Sequence, residues 1–177
     1  QPTKESELAS EISHLKCISN KTSLKVKEQY EENPYPRWVN TSKASFKLSI
    51  PEFMQRMDFK AHNYYFNEIK SPRILVAGCG TGQHSILAST RFKNSTVLAI
   101  DLSLKSLSYA KRKTKELKIS NIKYMQADIL DLARKNYTVD EIARLIDTTN
   151  EYVAKTCKSA GVSVQRRQTI KEAVREV

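Results

Sequence analysis

Glycine, proline and cysteine are scarce in this chain, at four, five and three of 177 residues. The cysteines, Cys17, Cys79 and Cys157, are odd in number and far apart, and no C-x-x-C occurs. A disulfide framework is therefore not encoded, and a reduced, cytoplasmic chain is the expectation. His14, His62 and His84 have no ligand spacing, which argues against a metal site. No apolar run approaches the roughly 18 residues of a membrane-spanning helix, and no signal-peptide pattern opens the chain. No membrane partner is expected. Gly-x-x-x-x-Gly-Lys is absent, so a phosphate-cradling P-loop is excluded. The first residue is Gln1 and not Met, as in a piece of a longer protein.

The length suits one ordinary domain or one and a half small ones, and 40% apolar content supports a modest core. The net charge of +11 divides as +8 over residues 1–132 and +3 over 133–177. It is spread along the chain and not gathered in a tail. Two readings stand: attraction to an acidic partner such as nucleic acid, or a solvated Lys-rich surface.

Three of the four glycines fall in one loop. Ile74 to Gly82 reads Ile-Leu-Val-Ala-Gly-Cys-Gly-Thr-Gly, and Asp101 closes a second apolar run, Val97 to Ile100. An apolar strand running into glycines brings bare backbone close to a ligand. An acid about 20 residues after the loop stands where it bridges ribose hydroxyls. The pair describes a site for a nucleoside-containing cofactor. A dinucleotide fingerprint needs G-x-G-x-x-G, but position 83 is Gln83. Cys79 sits where the loop wants a small residue, and packing is its expected role.

Gly78-x-Gly80-x-Gly82 resembles motif I of class I S-adenosylmethionine-dependent methyltransferases. Asp101-Leu102-Ser103 is similar to their motif II. Ile122 to Ala127 reads as a third strand ending in Asp128, where the family carries a residue near the adenine amino group. The resemblance implies S-adenosylmethionine as cofactor, held by Gly78, Cys79, Gly80, Thr81, Gly82, Asp101, Leu102, Asp128 and Ile129. The glycines would lie against the methionine moiety and Asp101 on the ribose. It also implies a Rossmann-like β-α-β-α-β half-sheet, in which Ser103 caps a helix from Leu104 to Leu117 with Leu104, Leu107, Ala110 and Leu117 on one face.

Val26 to Trp38, including Tyr-Glu-Glu-Asn-Pro-Tyr-Pro-Arg-Trp, resembles the lead-in of a bacterial methyltransferase group often joined to tetratricopeptide repeats. The resemblance spans roughly Thr22 to Leu132. Two departures stand out. Val76 occupies the place, two residues before the first glycine, where most class I enzymes carry an acid. After Leu132 the family needs strands four to seven, and only 45 residues remain. A core truncated after its third strand is the expectation. Residues that orient the methyl acceptor usually follow strand four, so neither acceptor nor catalytic base is named. If strand four is missing, Ile74 to Ala77 has an unpaired edge, and self-association or poor solubility follows unless the C-terminal helices cover that edge.

Around this core, Leu8, Ile12, Leu15 and Ile18 predict an amphipathic helix over Glu5 to Ile18. Ser23 to Glu32 reads as a second helix stopped by Asn33-Pro34. Ser49-Ile50-Pro51-Glu52 is a capping-box start. Asn33-Pro34-Tyr35-Pro36 is reminiscent of the Asn-Pro-Pro-Tyr of DNA amino-methyltransferases, but the residue order differs and no strand precedes it, so it reads as a turn. The division expected is a helical lead-in over 1–70, a cofactor-binding half over 71–132 and a helical segment over 133–177.

That last segment holds a capped helix from Tyr137 to Ile146, a turn at Asp147-Thr148-Thr149, a helix from Asn150 to Gly161 and a final helix to Val177. Ile142, Ala143, Ile146 and Val153 are spaced as in a helix-turn-helix. On that alternative the chain binds DNA through Asn150, Glu151, Lys155 and Lys158, with the α/β half as scaffold; otherwise the pair is a plain helical hairpin.

Overall fold

The structure, a computed structural model, describes residues 2–15, 18–58, 68–135, 137–146 and 148–164. The N-terminal part comprises α1 (Pro2–Ser10), β1 (Ser13–His14), α2 (Lys21–Glu32) and α3 (Ile50–Arg56). Asn20 caps α2, accepting the amides of Thr22 and Ser23. The Ser49/Glu52 capping box opens α3.

Alternating β2 (Arg73–Ala77), α4 (Gln83–Arg91), β3 (Thr96–Asp101), α5 (Leu104–Glu116) and β4 (Ile122–Gln126) follow. The strands are parallel, in the order β1-β4-β3-β2. This is the Rossmann-like half-sheet expected, with one short strand added.

That strand corrects the first helix. α1 ends at Ser10, and Ser13 and His14 pair with Met125 and Gln126. The Leu15 amide then donates to the Gln126 carbonyl at 2.9 Å. A helix continued to Ile18 would leave those β4 groups without a partner. Leu8 and Ile12 are still buried, and Ile12 packs with Leu107 and Ala110 of α5.

Period-two alternation gives the sheet two apolar faces. Ile74, Val76, Val97, Ala99 and Tyr124 pack on one side with Leu107 and Ala110. Leu75, Leu98, Ile100 and Met125 turn to the other, covered by α6 (Ile129–Arg134), α7 (Val139–Leu145) and α8 (Asn150–Ser159). Ile142, Ile146, Val153 and Cys157 are fully buried there. Each such side chain contributes about 1.5–3 kcal/mol by leaving water.

The boundary expected at 132 thus falls inside α6, and α7 and α8 share a core with the sheet through Val139, Ile142, Val153 and Cys157. Ala143 and Val153 are buried. Thr138 and Glu141 form a capping box on α7. Among the described residues β2 pairs only with β3, so its other edge carries no strand. Cys17, His62, Asp147 and the final helix toward Val177 lie outside the described residues.

Candidate functional site

The C-terminal ends of β2, β3 and β4 open into one cavity of about 780 Å³. At the end of β2 the chain turns through Gly78, Gly80 and Gly82 with φ of +68°, +52° and +87°. These left-handed angles suit glycine. The Cys79 amide donates to the Ile100 carbonyl at 3.0 Å, and the Gly82 amide to the Cys79 carbonyl at 3.0 Å. The Cys79 thiol is buried, and burial, aided by the Asp101 charge, pushes its pKa well up. Cys79 is part of the core cluster that includes Val76 and Ala88.

Of the nine residues expected to hold the cofactor, Gly78, Cys79, Gly80, Thr81, Asp101, Leu102, Asp128 and Ile129 line this cavity together. Gly82 does not. A Cβ there would stand 2.6 Å from the Ala110 Cβ and 3.1 Å from the Tyr124 hydroxyl. Gly82 lets the loop pack onto α5 and is not among the cavity's walls.

Asp101 ends β3. Its Oδ2 accepts the Gly80 amide at 2.8 Å and its Oδ1 the Ser103 amide at 2.9 Å. A carboxylate has about four lone-pair sites, so capacity for ribose hydroxyls remains. Asp128 follows β4 and caps α6, its Oδ1 accepting the amides of Leu130 and Asp131 at 2.9 and 3.2 Å. Its Oδ2 is buried with no hydrogen-bond partner among the described residues. A buried acceptor without a donor is costly. Asp128 as a residue lines the cavity, where the resemblance implies a contact to the adenine amino group.

Sequence reasoning missed the roof. Helix α2 and the turn after it cross the strand ends, and Thr22, Ser23, Val26, Tyr30, Tyr35 and Pro36 line the cavity from above. At the β4 end, the Ser19 amide and hydroxyl donate to Asp131 at 3.0 and 3.2 Å. Over β3, the Tyr30 carbonyl accepts from Ser103 at 3.2 Å, and the Glu31 carboxylate accepts the amide of Leu104 at 2.6 Å. Over the glycine loop, the Pro36 carbonyl accepts the Thr81 hydroxyl at 2.7 Å. Only Glu31, an acid close in space to a helix start, left a chemical signal; the other roof bonds use main-chain groups or small hydroxyls.

From below, Thr156 of α8 reaches the same cavity. Asn150, Glu151, Lys155 and Lys158, the residues set toward DNA in the helix-turn-helix reading, flank a separate concavity, and the Asn150 amide is engaged by Asp140. No cluster of three or more metal-type ligands occurs among the described residues. Nor is any described helix long and apolar enough to cross a membrane.

The profile of the family described as "Methyltransferase domain" matches residues 74–168. A curated relative, the malonyl-[acyl-carrier protein] O-methyltransferase of Paenibacillus sp. (strain JDR-2), is 34% identical over 58 residues, 33% of this chain and 21% of its own. The chain therefore spans about a fifth of that relative's length. Among solved structures, magnesium protoporphyrin IX methyltransferase from Synechocystis PCC 6803 with bound SAM is 15% identical. The overlap covers 79% of this chain and 74% of that one, with a TM-score of 0.44. Phosphoethanolamine N-methyltransferase 2 of Haemonchus contortus is 26% identical over 35% of this chain and 14% of that one, with a TM-score of 0.32.

Proposed function

The chain belongs to the methyltransferase domain family, and on that premise we propose that it binds S-adenosylmethionine and takes part in methyl transfer to an acceptor not yet identified. The observation that carries the reading is the cavity itself. Bare glycine backbone and the residues Asp101 and Asp128 line it together. Among its described lining residues are two carboxylates and no lysine or arginine. That charge suits the cationic sulfonium and ammonium of this cofactor and opposes the pyrophosphate of a dinucleotide.

When bound, the cofactor supplies a methyl group on a positively charged sulfur. The chain's own part is to bind, orient and cover. Gly78 and Gly80 let the backbone approach the methionine part, Asp101 accepts ribose hydroxyls, and Asp128 stands at the adenine amino group. Leu102 and Ile129 add apolar walls. The roof from α2 to Pro36 screens the nucleoside end from water. Buried, unpaired Cys79 and Cys157 support a reducing compartment, the cytoplasm.

Equilibrium dialysis with radiolabelled S-adenosylmethionine tests this. The reading expects saturable retention, displaced by S-adenosylhomocysteine and not by NAD. Displacement by NAD, or retention that does not saturate, would overturn it.

A further inference from the structure

The stretch Tyr-Glu-Glu-Asn-Pro-Tyr-Pro-Arg-Trp roofs the cavity through Tyr30, Tyr35 and Pro36, and it also makes a dense set of bonds to the glycine loop and α5. The Trp38 indole N–H donates to the Thr81 carbonyl at 3.0 Å, and the Thr81 hydroxyl donates to the Pro36 carbonyl at 2.7 Å. Thr81 is 2% exposed and stands between Gly80 and Gly82. The strap thus grips the middle of the loop from both sides of one residue. Trp38 is itself held: its carbonyl accepts the Tyr109 hydroxyl, and its ring meets the Tyr109 ring edge-on at 5.8 Å.

The strap's other end is fixed too. Glu31 caps the start of α5 through the amides of Leu104 and Lys105, where a carboxylate also complements the helix dipole. The Tyr30 carbonyl bonds Ser103. Pro34 and Pro36 restrict the backbone between the two anchors. A loop with three glycines is conformationally loose unless something restrains it. Its own bonds, from Cys79 and Gly82 and to Asp101, restrain its flanks. Thr81 is restrained by the strap.

We propose that Tyr30–Trp38 is a positioning strap that sets the glycine loop in its ligand-binding shape, with Trp38 and Thr81 as its clasp. Trp38 is then a positioning residue, acting on the ligand through the loop. The clasp exists independently of the ligand, so the inference goes beyond the cofactor reading.

Backbone amide hydrogen exchange and S-adenosylhomocysteine titration of the full chain test it. Trp38→Phe keeps the buried ring but loses the indole donor; Thr81→Val loses the hydroxyl; Thr81→Ser restores it. Loss of one such bond speeds loop exchange and raises the ligand dissociation constant by about threefold to tenfold. Exchange at Tyr124 and Met125 of β4 stays as in the parent, and the loop of Thr81→Ser, which keeps the hydroxyl, exchanges more slowly than that of Thr81→Val. Unchanged exchange at Gly80 to Gly82 in both Trp38→Phe and Thr81→Val would overturn the proposal. So would faster exchange with unchanged affinity in a chain that binds the ligand. If exchange rises as expected but the parent chain binds no S-adenosylhomocysteine, the clasp stands and the cofactor reading fails.

Discussion

Asp101 accepts the Gly80 amide at 2.8 Å, tying the end of β3 to the loop after β2 across 21 residues of sequence. The same carboxylate fixes the loop and lines the cavity proposed for the ligand. Asp101→Ala therefore removes both a loop restraint and a charged acceptor. S-adenosylhomocysteine affinity should fall by on the order of 1–3 kcal/mol. Calorimetry on the variant checks it, and an unaltered dissociation constant would remove Asp101 from the site.

Asp128 divides its labour between two oxygens. Oδ1 caps α6, while Oδ2 is buried and unpartnered. Asp128→Asn can keep the capping oxygen and place an amide donor where the second oxygen stood. A donor facing the adenine amino group should weaken ligand binding by about 1–3 kcal/mol. Thermal melting should change little. Tighter binding in this variant would contradict the placing of Asp128 at an N–H donor of the ligand.

Gly82→Ala should cost more than Gly80→Ala. At Gly82 a Cβ meets Ala110 at 2.6 Å, whereas at Gly80 the nearest atom is the Tyr35 carbonyl oxygen at 4.0 Å. Overpacking added to left-handed strain gives on the order of 2–4 kcal/mol at Gly82 and about 1–2 kcal/mol, from strain, at Gly80. Urea denaturation of both variants measures the difference. Equal costs would mean that the loop does not pack on α5 as described.

The strands, the glycine loop and Asp101 were legible because their signals are local. Val97 to Ile100 is apolar on both faces, and glycines next to a strand mark a close approach. The helix starts at Ser49, Ser103 and Thr138 were legible for the same reason, since a capping side chain acts within three residues. What the sequence could not show is mostly main-chain chemistry at long separation. Trp38 and Thr81 are 43 residues apart, and the groups at Tyr30, Pro36 and Thr81 that accept the strap's bonds are carbonyls, which every residue carries. The early end of α1 arises from the free edge of β4, which no local pattern around Ser13 encodes. Gly82 looked like its two neighbours until Ala110 and Tyr124 were placed against it.

Acid should loosen the roof. Burial raises the Asp131 pKa, but Lys135 at 2.9 Å and the bonds from Ser19 outweigh it and hold the carboxyl below its ordinary value. A depressed folded pKa contributes stability that is present above the unfolded value of about 3.9 and lost as pH falls through the folded value. Asp131→Asn should therefore flatten the acid side of the stability curve. Parallel acid limbs for parent and variant would show that this anchor does not contribute.

The free edge of β2 carries the expectation of self-association. Ile74 to Ala77 is apolar and, among the described residues, bonded on one side only. The net charge of +11 opposes contact between copies. Association should therefore strengthen as salt screens that charge. Sedimentation velocity at low and high ionic strength reads this directly, and a monomer under both conditions would mean that the edge is blocked.

The central claim is that this chain's own residues form a site for the adenosyl-methionine class of ligand. Calorimetric titration of S-adenosylhomocysteine into the chain tests it most directly. The account predicts a saturable heat with one ligand per chain, weakened by Asp101→Ala and Asp128→Asn. The absence of both heat and thermal stabilisation at millimolar ligand would contradict it.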